Sequence, residues 1–430
     1  MSLALSLVVM LVIAPIAAQA TQKKQDPETQ EQDRGTQKKQ DPETKKEQDP
    51  ETKKKQDPEK RFEALEREVR DLRREVRDLK EKGPGVIPPL GGDGETPTLQ
   101  IGGFGHLTYS VMREDPDGAG SSSTNEFAVG GLDIFLSSQI SERLSFLSET
   151  QWEYSDSDDD GSDSEIEIHR LILKYECSDQ FNFYAGRFHT LLGYWNETFH
   201  HGEFLQTNIG RPAVLGFRNV VPIHTVGVGC RGSVDTECLR IECGLEVGNG
   251  RGPTQEITQN ESDENDSKRV NVSLRFASNT VDELYFGGGF LFDEIPRNKD
   301  AAKGPVHGSL DEKIGSAYLA YVAHPWEVMV EYYVVDHSGT STRSNGWFAQ
   351  CGHRFGDFTP YARYDHLRLI DSDPYWRNAA NLNGVHVGVR WDMDVWTALK
   401  LEVFKTKIDG AGNSPDQDNT GVAVQWSFAF

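Results

Sequence analysis

Four groups of residues in this chain have types and spacings that could do chemistry. The first is Asp156-x-Asp158-x-Asp160-Gly161-x5-Glu167, which matches the oxygen-ligand spacing of a calcium loop. Strands rather than helices are expected on either side of it, and Asp163 stands where such loops carry an apolar residue. A solvated acidic loop would give the same letters, so calcium stands here beside that plainer reading. The second group lies in residues 189–221, where His189, Glu197, His200, His201, Glu203, Arg211 and Arg218 are interleaved with Tyr194, Trp195, Phe199 and Phe204. Adjacent His200 and His201 lack a spaced third ligand, so the charges there suit contact with ions better than coordination of a metal. The third group is a set of pairs two residues apart: Arg240 with Glu242, Arg363 with Asp365, Arg390 with Asp392, and Lys400 with Glu402. In strands each pair shares one face, as charges lining a wet interior or as cross-strand ion pairs bracing a wall. The fourth, Gly227-Val-Gly-Cys-Arg-Gly232, satisfies a dinucleotide fingerprint by letter. It runs from strand to strand with no helix to receive a phosphate and is set aside. No spaced Ser, His and carboxylate group points to a hydrolase, which leaves a barrel-rim hydrolase as the least favoured function.

The elements that must position these residues alternate with a period of two. Val422, Val424, Trp426, Phe428 and Phe430 share one face, opposite Ala423, Gln425, Ser427 and Ala429. Val270, Val272, Leu274 and Phe276 alternate with Arg269, Asn271, Ser273 and Arg275 in the same way. Sixteen such segments begin near residues 99, 126, 144, 165, 181, 223, 237, 269, 283, 313, 326, 345, 358, 384, 396 and 420. Their connections alternate long and short, with 113–124, 155–164 and 189–221 long and 139–143 and 177–180 short. An apolar face against a charged face, an even strand number and alternating loop lengths predict an all-β fold, a 16-stranded antiparallel transmembrane β-barrel over residues 97–430. The connection 189–221 has 33 residues and is too long to be idle.

The N-terminal quarter differs. Met1–Ala20 is an uncharged apolar run ending in a small-x-small site, which reads as a signal peptide despite its missing positive start; an uncleaved anchor is the alternative. Residues 21–57 repeat T-(Q/K)-K-(K/E)-Q-D-P-E, each copy with a proline and no large apolar side chain, as expected of a disordered spacer that could reach the cell wall. Across 58–82, Phe62, Leu65, Val69, Leu72, Val76 and Leu79 form an a/d seam with opposite charges at g and e′, predicting a short parallel coiled coil. Residues 83–96, rich in glycine and proline, form a linker.

Charge and thiols bound the partners. The chain has 430 residues, 45 Lys and Arg against 68 Asp and Glu, and a net charge of -23. Basic residues of the spacer and coiled coil are matched by acids, which argues against nucleic acid. Beyond the N-terminus no apolar stretch is long enough for a membrane helix. Five cysteines would ordinarily suggest disulfides, yet Cys230 and Cys238 fall on opposite strand faces and no bridge is expected between them.

The run from Glu167 to Asn196, with Gly186-Arg-Phe-His-Thr-Leu-Leu-Gly193 at its centre, resembles the G-R-F-x-T-P-F-G segment of bacterial trimeric porins related to the phosphate-selective porins O and P. Leu191 replaces the usual proline. Asn249-Gly-Arg-Gly252, Pro360-Tyr-Ala-Arg363, Lys400-Leu-Glu402 and terminal Phe430 also resemble family positions. The resemblance implies a homotrimeric outer-membrane channel for small hydrophilic solutes or ions, without cofactor, and members with an N-terminal coiled coil make a trimer the expected assembly. The N-terminus would be periplasmic. By its place after the fifth strand the loop 189–221 resembles the porin loop that folds into the barrel and narrows the pore, so Arg211, Arg218, His200, His201 and Glu203, with the inward pairs, would line or constrict it. A structural envelope tether, with the barrel mainly an anchor, is the alternative. The acidic balance sets a cation preference against the anion selectivity that the family name implies.

Overall fold

A computed structural model describes residues 98–430 apart from 158–160, 200–202, 217–219, 255–263, 303, 341–342, 377–379 and 411–414, with backbone alone over the strand residues between 154 and 165. The expected signal peptide, spacer, coiled coil and linker lie outside the described residues.

The period-two segments form sixteen strands. The first eight are β1 (Leu99–Pro116), β2 (Ser122–Gln139), β3 (Leu144–Ser157), β4 (Gly161–Ser178), β5 (Phe181–His189), β6 (His224–Asp235), β7 (Leu239–Gly248) and β8 (Arg269–Ser278). The rest are β9 (Leu284–Ile295), β10 (Leu310–Tyr321), β11 (Trp326–His337), β12 (Ser344–His353), β13 (Phe358–Arg368), β14 (Asn381–Asp392), β15 (Thr397–Asp409) and β16 (Gln417–Ala429). Two short helices, α1 (Tyr194–Thr198) and α2 (Ala213–Gly216), lie between β5 and β6. Each strand pairs with its sequence neighbours, and β1 pairs antiparallel with β16 to close the barrel. Gly103 and Phe430 exchange both backbone hydrogen bonds at the seam, at 3.0 and 2.9 Å. Closure leaves no open sheet edge.

Burial is inverted relative to a water-soluble sandwich. Val228, Phe290, Val387, Val403 and Trp426 stand exposed on the outside, while Glu246, Arg269, Glu331, Arg363 and Lys400 are buried inside. An apolar belt of this extent suits hydrocarbon and not water.

Two expectations change. The long connections expected at 113–124 and 155–164 shrink to 117–121 and 158–160, because β1 to β4 continue as paired ladders. β1, β2 and β4 each have 18 residues, roughly 59 Å at about 3.3 Å per residue, so even tilted they outrun a bilayer core of about 30 Å. The second change concerns the lumen. Leu291, Ile314, Met329, Tyr333, Phe348 and Leu367 on β9 to β13 point inward and pack with Leu192, Trp195, Val214 and Val220 of the β5–β6 loop and with Trp376. Each buried apolar side chain of this size stabilises by about 1.5–3 kcal/mol, which makes one half of the lumen a packed core and not a wet wall. Gly346 permits it: a Cβ there would meet Val214 Cγ2 at 2.5 Å.

Candidate functional site

The loop from residue 190 to 223 runs inside the barrel, and its backbone is satisfied by inward-facing side chains. Carboxylates take its N–H groups: Leu191 N donates to Glu246 Oε2 at 3.0 Å, Trp195 N to Glu331 Oε1 at 2.6 Å, Ile209 N to Glu402 Oε2 at 3.1 Å, and Ala213 N to Asp365 Oδ1 at 3.1 Å. Cations take its carbonyls. Arg363 donates to Gly210 O at 3.0 Å and Arg211 O at 3.2 Å, Arg390 to Gln206 O at 2.9 Å, and Lys400 to Asn208 O at 3.2 Å and to the Glu203 carbonyl. Arg251 donates to Val220 O at 2.9 Å. Irregular backbone away from bulk water needs such partners, and a hydrogen bond to a charged group is worth about 1.5–3 kcal/mol.

Members of three of the inward pairs hold the loop, and Glu242 and Asp365 also reach across strands to Arg275 at 4.0 Å and His386 at 3.4 Å. Arg363–Asp365, Arg390–Asp392 and Arg240–Glu242 do pair, at 2.8, 2.7 and 3.0 Å, but each along one strand and not across strands. Lys400 and Glu402 turn apart: Lys400 also donates to Gln425 Oε1 at 3.0 Å, while Glu402 accepts from Tyr361 Oη at 3.0 Å and lies 2.9 Å from His386 Nδ1. Arg363, Asp365, Lys400 and Glu402 are buried beneath the loop.

Among the described loop residues the charged side chains are Glu197, which lies 3.2 Å from Arg231 Nη2, Glu203 and Arg211. Glu203 accepts the Gln206 side-chain amide. Arg211 feels the carboxylates of Glu203, Glu153, Asp133 and Glu167; burial lowers its guanidinium from the usual range and those four acids act against the shift. His200, His201 and Arg218 lie outside the described residues.

The facing wall belongs to β1 to β5. Glu149 pairs with Arg170, and Glu167 pairs with Arg187 and lies 3.3 Å from His169. The His224 ring sits 5.5 Å from that of His169 and 5.3 Å from that of His189. His106 packs over Gly130, where a Cβ would come within 2.0 Å of its Nε2. His106 and Asp133 escaped the sequence reading, and Arg170 and Arg187 entered it only within the run from Glu167 to Asn196, although Asp133, a lone acid between outward Leu132 and Ile134, carried a legible period-two signal.

The described part of the calcium pattern lies on the β3–β4 ladder. Asp156 faces Ser162 and Gln151 faces Glu167 across the β3–β4 ladder. Glu167 is five ladder positions from the level of Asp156, roughly 16 Å, beyond the reach of one ion with ligands at about 2.3–2.6 Å. Glu167 is engaged instead by Arg187 and His169, and Asp158 and Asp160 lie outside the described residues. Among the described residues no group of three His, Cys, Asp or Glu is arranged to hold a metal.

No protein-family profile and no curated protein matches the chain in sequence. Solved structures do match in shape. OmpF of Salmonella typhi, determined with daunomycin, aligns with a TM-score of 0.51 and 9% identity over 77% of this chain and 97% of that one. The outer membrane channel DcaP of Acinetobacter baumannii aligns with a TM-score of 0.51 and 10% identity over 79% of this chain and 99% of that one. The trimer form of OmpT, an outer membrane protein of Vibrio cholerae, aligns with a TM-score of 0.48 and 11% identity over 78% and 100%. The fold they share with this chain is a closed sixteen-stranded antiparallel β-barrel.

Proposed function

We propose that this chain is a porin of a bacterial outer membrane, a passive channel for small hydrophilic solutes or ions. The single observation that carries the reading is the loop of residues 190–223, fastened by Arg363, Arg390, Lys400, Glu331 and Glu402 to one side of the lumen. Among the described residues, Glu203 and Arg211 are the loop charges left to meet the charged wall of β1 to β5. The water path runs between them, off the barrel axis, and the loop is its constriction. The chain is not an enzyme in this reading and requires no cofactor.

The assembly is a homotrimer whose parallel coiled coil, residues 58–82, lies in the periplasm, with residues 21–57 reaching toward the cell wall. Kinship with the phosphate-selective porins O and P rests on the segment around Gly186-Arg-Phe188. A second reading, an envelope tether anchored by its barrel, draws on the packed apolar half of the lumen. Planar-bilayer recording of the purified full chain separates the two: discrete steady conductance steps support the channel, and a silent bilayer with folded protein inserted supports the tether.

A further inference from the structure

The ring of His386 on β14 joins the two acids that hold the loop on either side of Arg211. Its Nδ1 donates to Glu402 Oε1 at 2.9 Å, and its Nε2 lies 3.4 Å from Asp365 Oδ2. The other oxygen of each carboxylate takes the loop: Glu402 Oε2 accepts from Ile209 N and Asp365 Oδ1 from Ala213 N, both at 3.1 Å. Between these anchors the backbone turns at Gly210, whose φ of 73° favours glycine, and the Gly210 and Arg211 carbonyls accept from Arg363. Four backbone groups within residues 209–213 are thus held by Arg363, Asp365 and Glu402. His386 touches the two acids and stands across the β13–β14 ladder from the arginine.

The sequence clears a place for this ring. Side chains on one face of a strand recur every second residue, and the neighbours of His386 on its face are Gly384 and Gly388. Gly384 lies across the ladder from Asp365, and Gly388 across from Glu402. A Cβ at Gly384 would stand 3.3 Å from His386 Nε2, so a side chain there would crowd the ring. Phe404, the ladder partner of His386 on β15, stacks on it with centroids 6.0 Å apart. Tyr361 Oη donates to Glu402 at 3.0 Å and Arg363 Nε to Asp365 at 2.8 Å. Both acids are buried, where water does not replace a donor that is lost.

We propose that His386 is a positioning residue of the constriction, acting through Glu402 and Asp365 to fix the backbone on both sides of Arg211. This deepens the channel reading and rests on it, since the place of the Arg211 guanidinium then depends on a ring that meets no solute. Glu402 reaches the loop before Arg211 and Asp365 after it, and one side chain spans the two.

Hydrogen exchange of the detergent-solubilised full chain, read by mass spectrometry with fragmentation, tests the bridge. In His386→Phe, which keeps a ring against Phe404 and removes both nitrogens, the Ile209 and Ala213 amides exchange about tenfold faster or more, equal to about 1.4 kcal/mol of lost protection. The Leu191 and Trp195 amides, held by Glu246 and Glu331, keep their wild-type rates. His386→Asn, too short to span both acids, is measured beside it and moves the same two amides. Wild-type rates at residues 209 and 213, an equal rise at all four amides, or loss of the fold in both variants overturns the assignment. The reversal potential under a KCl gradient reads the effect on the pore. His386→Phe shifts it in the wild-type background and leaves it unmoved in Arg211→Ala, because the ring acts through where Arg211 stands. An equal shift in both backgrounds refutes that route. A wild-type chain that inserts and does not conduct sinks the channel reading, while the exchange rates still decide the bridge.

Discussion

Arg363, Arg390 and Lys400 show how a residue's role follows from what covers it. Sequence spacing correctly turned them inward, but inward in this barrel means beneath a loop, where their donors meet backbone carbonyls and not solute. Glu167 makes the same point for the calcium motif. The pattern assumes a backbone that curls back on itself, whereas a β-ladder holds consecutive ligands apart by about 3.3 Å per residue. Glu167→Gln should therefore leave any calcium titration of the full chain unchanged within error. Loss of a saturable calcium isotherm in that variant would show that β3 and β4 part in solution. The same substitution removes a partner from Arg187 and His169, so a modest loss of stability, about 1–3 kcal/mol, is expected in urea unfolding from lipid vesicles.

Among the elements, strands were far more legible than loops. All sixteen strand starts fall within a few residues of where alternation places them, because a sheet with one face in lipid and one inside enforces a strict two-residue period. β1 to β4 run longer than read, since ladder pairing continues through polar residues once hydrocarbon no longer demands alternation. The loop of residues 190–223 was legible as special by length and aromatic content, but not in its docking. Which wall it lies on is fixed by contacts nearly two hundred residues away, such as Lys400 to Asn208 and Arg390 to Gln206. Packing of Trp195 and Val214 into the apolar core holds the two flanks of this stretch, and these charged hydrogen bonds hold the segment between them. Replacing Arg390 and Lys400 together by Met should free the segment 203–211 at a cost of about 3 kcal/mol or more while its apolar flanks stay docked. Single-channel recording should then show flickering between conductance levels in place of one steady level. A trace as steady as the wild type would mean that the apolar contacts alone fix the loop.

For the whole molecule, charge and family resemblance point to opposite ions. From residue 83 onward the chain carries 26 basic against 50 acidic residues. A phosphate-selective path needs exposed cations at its narrowest point, yet Arg251, Arg363, Arg390 and Lys400 are directed at the loop backbone, and Arg170 and Arg187 are paired with Glu149 and Glu167. Arg211 is the basic side chain set among Asp133, Glu153 and Glu203. A lumen lined mostly by one sign focuses counter-ions, and the effect weakens as the screening length falls from about 30 Å at 0.01 M salt to about 3 Å at 1 M. The reversal potential under a KCl gradient should accordingly report cation preference at low salt, fading toward the mobility ratio of the ions near 1 M. Arg211→Ala should sharpen that preference, since it removes the cation that opposes three acids. Should the wild-type channel prefer chloride at low salt and lose that preference in Arg211→Ala, then one guanidinium in a narrow, poorly screened passage outweighs the acidic wall, and the anion selectivity implied by the sequence resemblance is the correct one.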